Sequence, residues 1–147
     1  MPRVRRERTV AAPPEDVWEL VSDPYHFPRW WPLLARVEDA SPRAWTMVLV
    51  TPGGKPVRAD YTRVEFQPQR RSVWRQELEE SPFERIFSSS VTEIELEPAD
   101  TGTTRVVLTV TEKLRGRYRL GGWLVRRAAR KRLTQALEGL EGAVASE

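Results

Sequence analysis

The chain has 147 residues, enough for one domain with a real core, and its 39% hydrophobic and 31% charged residues describe a globular protein. The absence of cysteine excludes disulfides and thiolate metal sites and makes a reducing cytoplasm the expected home. No apolar run approaches the roughly 18 residues of a membrane span, and the basic Met1–Arg8 leads into no signal core. The net charge of +3 does not by itself point to nucleic acid. Lysine occurs only at Lys55, Lys113 and Lys131, the other cations are arginines that GC-rich codon usage explains, and Asp and Glu nearly balance them.

In chain order, Val4–Val10 mixes β-branched and charged residues and stops at Ala11-Ala12-Pro13-Pro14, which predicts an opening strand ended by prolines. A short helix follows. Pro14, Glu15 and Asp16 suit a first helical turn, and Val17, Trp18, Leu20 and Val21 supply its apolar positions. The next stretch, DPYHFPRWWP, holds four aromatic rings and the only histidine among Pro24, Pro28 and Pro32. It is expected to form short helical pieces set at an angle, with rings on the inner side.

From Leu34 the hydrophobic period changes to two. Strands are predicted at 35–39, 43–51, 57–67, 71–79, 83–97 and 104–113, separated by turn residues such as Pro52-Gly53-Gly54 and Asp100-Thr101-Gly102. Six successive strands with short turns read as an antiparallel meander. A long helix over 120–144 closes the chain. Gly122, Val125, Ala129, Leu133, Ala136, Leu140 and Val144 share one face, with Leu137 at its edge. The small first half of that face is expected to leave room beneath it, whereas the second half is mostly leucine.

This order resembles the START-like superfamily, also called Bet v 1-like or SRPBCC, and within it the bacterial polyketide cyclase/dehydrase group. The likeness rests on Val10-Ala11-Ala12-Pro13-Pro14-Glu15-Asp16-Val17-Trp18, Pro28-Arg29-Trp30-Trp31-Pro32, Gly102-Thr103-Thr104-Arg105-Val106 and Gly121-Gly122. It implies one α+β domain over residues 1–147, a helix-grip fold. A curved antiparallel sheet wraps around the C-terminal helix, two short helices follow the first strand, and a cavity lies between sheet and helix. One such scaffold serves many functions.

The candidate ligand-binding residues are Trp30, Trp31, Tyr61, Trp74, Ser88, Ser90, Val125 and Ala129. One of Trp30 and Trp31 is expected under the roof and the other at the cavity mouth or in solvent, with the alternative that both seal the core. Alternation favours Trp74 inside and leaves Trp45 undecided. Ser88, Ser90 and Thr92 share a parity with Ile94 and Leu96, so without a bulge three hydroxyls face inward. His26 reads as an exposed surface histidine, and no cluster of His or acids has metal-ligand spacing. Neither metal nor cofactor is expected.

Arg126, Arg127, Arg130 and Lys131 form a basic stripe on the long helix. A solvated face is the plain reading, and contact with nucleic acid or anionic membrane is the alternative. Trp123 and Leu124, off the inward face, fit a cavity entrance, a dimer contact or a membrane-touching edge. The expected function is enclosure of a small hydrophobic or amphipathic ligand such as a lipid, polyketide or isoprenoid, by a monomer or homodimer. The resemblance also implies a possible cofactor-free aromatase or cyclase. That chemistry needs an inward arginine, with Arg58, Arg63 and Arg75 as candidates, near Tyr61 or a serine.

Overall fold

A computed structural model describes residues 3–146. Seven strands form one open antiparallel sheet: β1 (Arg3–Val10), β2 (Leu34–Glu38), β3 (Ala44–Val50), β4 (Pro56–Gln67), β5 (Arg71–Glu77), β6 (Phe87–Pro98) and β7 (Thr104–Leu114). Their spatial order is β1-β7-β6-β5-β4-β3-β2, so the meander runs from one edge inward and the first strand closes the far side against the last. Helix α1 spans Pro14–Ser22, a 3-10 helix Pro24–Arg29, a second 3-10 helix Gly116–Gly121, and α2 Gly122–Ala145. This is the α+β helix-grip arrangement, with α2 gripped along β1 and β7 and α1 lying against both α2 and β6. None of the described helices is long and apolar enough to cross a membrane.

Local chemistry explains the elements. Pro14 opens α1 where its missing N–H costs nothing, Glu15 and Asp16 occupy the positive end, and Val17, Leu20 and Val21 are buried. The Asp23 carboxylate accepts the Tyr25 N–H at 3.0 Å and caps the first 3-10 helix. The second helical piece expected at Pro28–Pro32 is instead a turn. Pro28 lies within the 3-10 helix, and Trp30 and Trp31 donate their N–H groups to the Phe27 carbonyl as the chain reverses. The strand expected from residue 83 starts at Phe87, because Ser81 binds the Leu78 carbonyl and holds 81–86 in turns.

The inward rows of the sheet follow alternation: Trp45 and Met47 on β3, Ser72, Trp74 and Gln76 on β5, Ser90, Thr92, Ile94 and Leu96 on β6, and Val106, Leu108, Val110 and Glu112 on β7 are all buried. Three register shifts interrupt the sheet. One lies between Leu34 and Arg36 on β2, one between Arg63 and Glu65 moves Phe66 onto the face of Tyr61 and Arg63, and one lies between Phe87 and Ser89. The sheet is fastened to its surroundings by polar contacts. The Thr104 hydroxyl donates to the Ala12 carbonyl at 2.7 Å, and Arg8 pairs with Glu141 of α2 at 3.2 Å.

Candidate functional site

The rings of the Pro-bounded segment pack inward as a single cluster. Phe27 lies 5.0 Å from Trp74, 5.4 Å from Trp30 and 5.7 Å from Trp45, and Trp30 and Trp31 meet edge-to-face at 5.5 Å. Both Trp30 and Trp31 are buried, so neither sits at a mouth or in solvent. Trp30 is fixed by its indole N–H, which donates to the Leu20 carbonyl at 2.7 Å. Its backbone lies against Gly139, in the second half of α2, so this roof covers the helix's leucine-rich end. Trp74 faces inward as alternation predicts, and Trp45 joins it at 5.6 Å.

Beyond the rings, polar groups converge beneath α2. Ser90 and Glu112 are register partners on β6 and β7, and Tyr61 and Gln76 are partners on β4 and β5, so four adjacent strands contribute inward polar side chains. Glu112 is 6% exposed; its carboxylate accepts from Ser90 Oγ at 3.3 Å and from Arg132 Nη2 of α2 at 3.5 Å. These are long contacts for a buried carboxylate. Among the described residues the buried Gln76 Nε2 and Trp45 Nε1 have no hydrogen-bond partner, although buried donors are nearly always paired. Tyr61 stacks on Trp45 at 6.2 Å and 12°.

Burial pushes the Tyr61 phenol up to about 12, Arg132 opposes that shift and Glu112 reinforces it. Because this pKa is raised above the ordinary value of 10.0, the stability it reflects is complete below pH 10 and is lost as pH rises through 12. An ultraviolet titration of phenolate absorbance should resolve one tyrosine ionising near the unfolding transition. In Tyr61→Phe that late step should vanish and the alkaline loss of stability should become shallower; an unchanged titration would mean that Tyr61 is not the buried phenol.

An open groove of about 580 Å³ lies at the start of α2, with Ser88, Leu114, Gly122 and Arg126 among its walls. Leu114 lies two residues beyond Glu112, and Ser88 two residues before Ser90. The bulge turns Ser88 out, so it is exposed on the groove rather than inside, while Ser90 and Thr92 remain buried. Val125 is half-buried and Ala129 is part of the core. The room therefore opens beside Gly122, while aromatic rings fill the sheet's centre.

The three strand arginines separate. Arg58 and Arg75 are exposed and pair with Glu38 and Glu77. Arg63 turns inward but is already occupied. It donates to Ser22 O at 2.5 Å, Pro42 O at 2.9 Å and Ser72 Oγ at 3.2 Å, and it lies 4.7 Å from the centre of the Phe66 ring. The arginine whose charge reaches Tyr61 is Arg132, which the helical pattern leaves off the inward face. Its partner Glu112 continues the parity of Val106, Leu108 and Val110, a signal that could have found it. His26 is half-buried rather than exposed, and its Nδ1–H donates to Glu19 O at 2.8 Å. Arg126, Arg127, Arg130 and Lys131 are exposed, and none forms an ion pair among the described residues.

A curved sheet gripping a terminal helix, with polar groups buried between them, defines a helix-grip protein of the START-like class. The family model for polyketide cyclase/dehydrase and lipid transport matches residues 1–145, and the chain belongs to that family. Among solved structures, a START superfamily protein from Mycobacterium smegmatis is 17% identical with a TM-score of 0.80, covering 98% of this chain and 97% of its own. TTHA0849 from Thermus thermophilus is 27% identical with a TM-score of 0.77, over 99% and 98% of the two chains. The di-domain ARO/CYC BexL from the BE-7585A biosynthetic pathway is 22% identical with a TM-score of 0.82; 99% of this chain aligns with 47% of that longer one. None of the curated proteins matches significantly.

Proposed function

We propose that this protein binds a small amphipathic molecule, with its apolar part along Leu114 and Val125 and its polar end directed at the row formed by Tyr61, Gln76, Ser90, Glu112 and Arg132. The observation that carries this reading is the buried Gln76 Nε2, left without a hydrogen-bond partner on the strand between those of Tyr61 and Ser90, together with a loosely bonded Glu112. A finished core would satisfy such groups, whereas a binding site leaves them for a guest's carbonyl or hydroxyl. Membership of a family that includes lipid transport proteins supports the same reading.

Native mass spectrometry of protein purified without detergent, alongside titration with the aromatic amphiphile anilinonaphthalene sulfonate, tests it. Saturable binding is expected, with affinity reduced by roughly tenfold or more in Glu112→Leu, at about 1.4 kcal/mol for each factor of ten. The same substitution strands the buried Ser90 hydroxyl and the partly exposed Arg132 guanidinium, so some loss of stability is expected, and a melting curve showing folded protein at the assay temperature separates lost binding from unfolding. Absence of any saturable site would end the proposal.

A second reading, cyclisation of a polyketide, is favoured by one cluster: Tyr61 experiences the charges of both Arg132 and Glu112. A guanidinium can polarise a ketone while the carboxylate takes a proton from the adjacent carbon. Incubation with a poly-β-ketone thioester separates the readings. Turnover lost in Arg132→Met with the ligand still bound supports catalysis, and binding without turnover leaves a carrier.

A further inference from the structure

Charge is segregated along this chain. From Lys113 to Leu137 there are nine lysines and arginines and no acid, while the whole chain carries only +3, so the remainder is net −6. The same segment holds an unusual share of exposed apolar side chains: Leu120 is 87% exposed, Trp123 57% and Leu124 52%. Those three lie within five residues where the second 3-10 helix meets α2, beside the groove, whose walls also include Arg3, Lys113 and Arg119.

We infer that this shoulder docks on an anionic lipid bilayer. Leucine and tryptophan side chains ringed by arginines match the membrane–water boundary, where rings and aliphatic groups enter the headgroup layer and guanidiniums meet phosphates. A polyanion such as RNA would use the arginines but would give Leu120 and Leu124 nothing to bury against. Docked this way, the groove faces the lipid, with Arg119 and Arg126 placed at headgroup level. The inference does not depend on what the interior binds.

The test is co-sedimentation of the full chain with vesicles of phosphatidylcholine alone and with phosphatidylglycerol added, at low and high salt. Binding is expected only to the anionic vesicles, weakening with salt and accompanied by a blue shift of tryptophan emission that Trp123→Phe loses. Arg126→Glu with Arg127→Glu and Arg130→Glu should weaken binding on the order of 100-fold. Leu120→Ser with Leu124→Ser should weaken it while the charge is kept. All these positions are exposed, so melting curves should stay close to wild type. Equal binding to neutral vesicles, undiminished binding by the leucine variant, or binding to RNA or an acidic protein without binding to vesicles would overturn the proposal.

Discussion

Replacing Gly139 with alanine should destabilise the protein by about 3 kcal/mol and lower its melting temperature by roughly 10 °C. A Cβ at this position would stand 2.4 Å from the Trp30 carbonyl oxygen and 3.0 Å from its Cα. The obstacle is backbone, and it cannot retreat: the Trp30 indole is tied to Leu20, and its ring is packed against Phe27 and Trp31. Alanine would gain about 1 kcal/mol of helix propensity over glycine, which is smaller than the overlap it must relieve. Gly142 is the matched control. It has open space where a Cβ would go, so Gly142→Ala should be neutral or stabilising by up to about 1 kcal/mol. Paired urea denaturation curves decide the matter, and equal effects at the two glycines would refute the close contact.

Trp74→Ala should cost about 4 kcal/mol, a large share of the roughly 5–15 kcal/mol that holds a domain together. Trp74 is 1% exposed and meets Phe27, Trp31 and Trp45 at 5.0, 6.1 and 5.6 Å. Three different segments meet on this indole: the Pro-bounded roof, β3 and β5. Its removal leaves a void that its neighbours, themselves locked ring against ring, cannot close. The urea midpoint should fall without change of slope. A cost below about 1 kcal/mol would mean that the ring cluster is loosely packed and the sheet's centre has spare room after all.

Much of this architecture was legible in the chain. Proline and glycine marked most strand ends, and period-two alternation placed Trp74 inside. The helical face from Gly122 to Leu140 was readable because its residues recur every three or four positions. The site was less legible, for identifiable reasons. A bulge adds a residue without a compositional mark, so the parity that joins Ser88 to Ser90 fails at the Phe87–Ser89 register shift, and strict alternation along β4, which would set Phe66 on the face opposite Arg63, fails at the Arg63–Glu65 shift. Arg132 reads as one cation in a basic run, and only Glu112 across the gap gives it an inward role. The closeness of Gly139 to Trp30 joins residues more than a hundred positions apart and leaves no local pattern at all.

The order of the strands also dictates how the molecule can be made. β1 is synthesised before the other six strands, yet its strand partner in the sheet is β7, with Arg3 opposite Thr111 and Val10 opposite Thr104. That strand must therefore wait, without its strand partner, until β7 has been synthesised. Contacts this distant in sequence slow folding into the range of milliseconds to seconds. During that interval the arginines of β1 serve a second purpose, since charges spaced along a solitary strand keep it from zipping onto the same strand of another nascent copy.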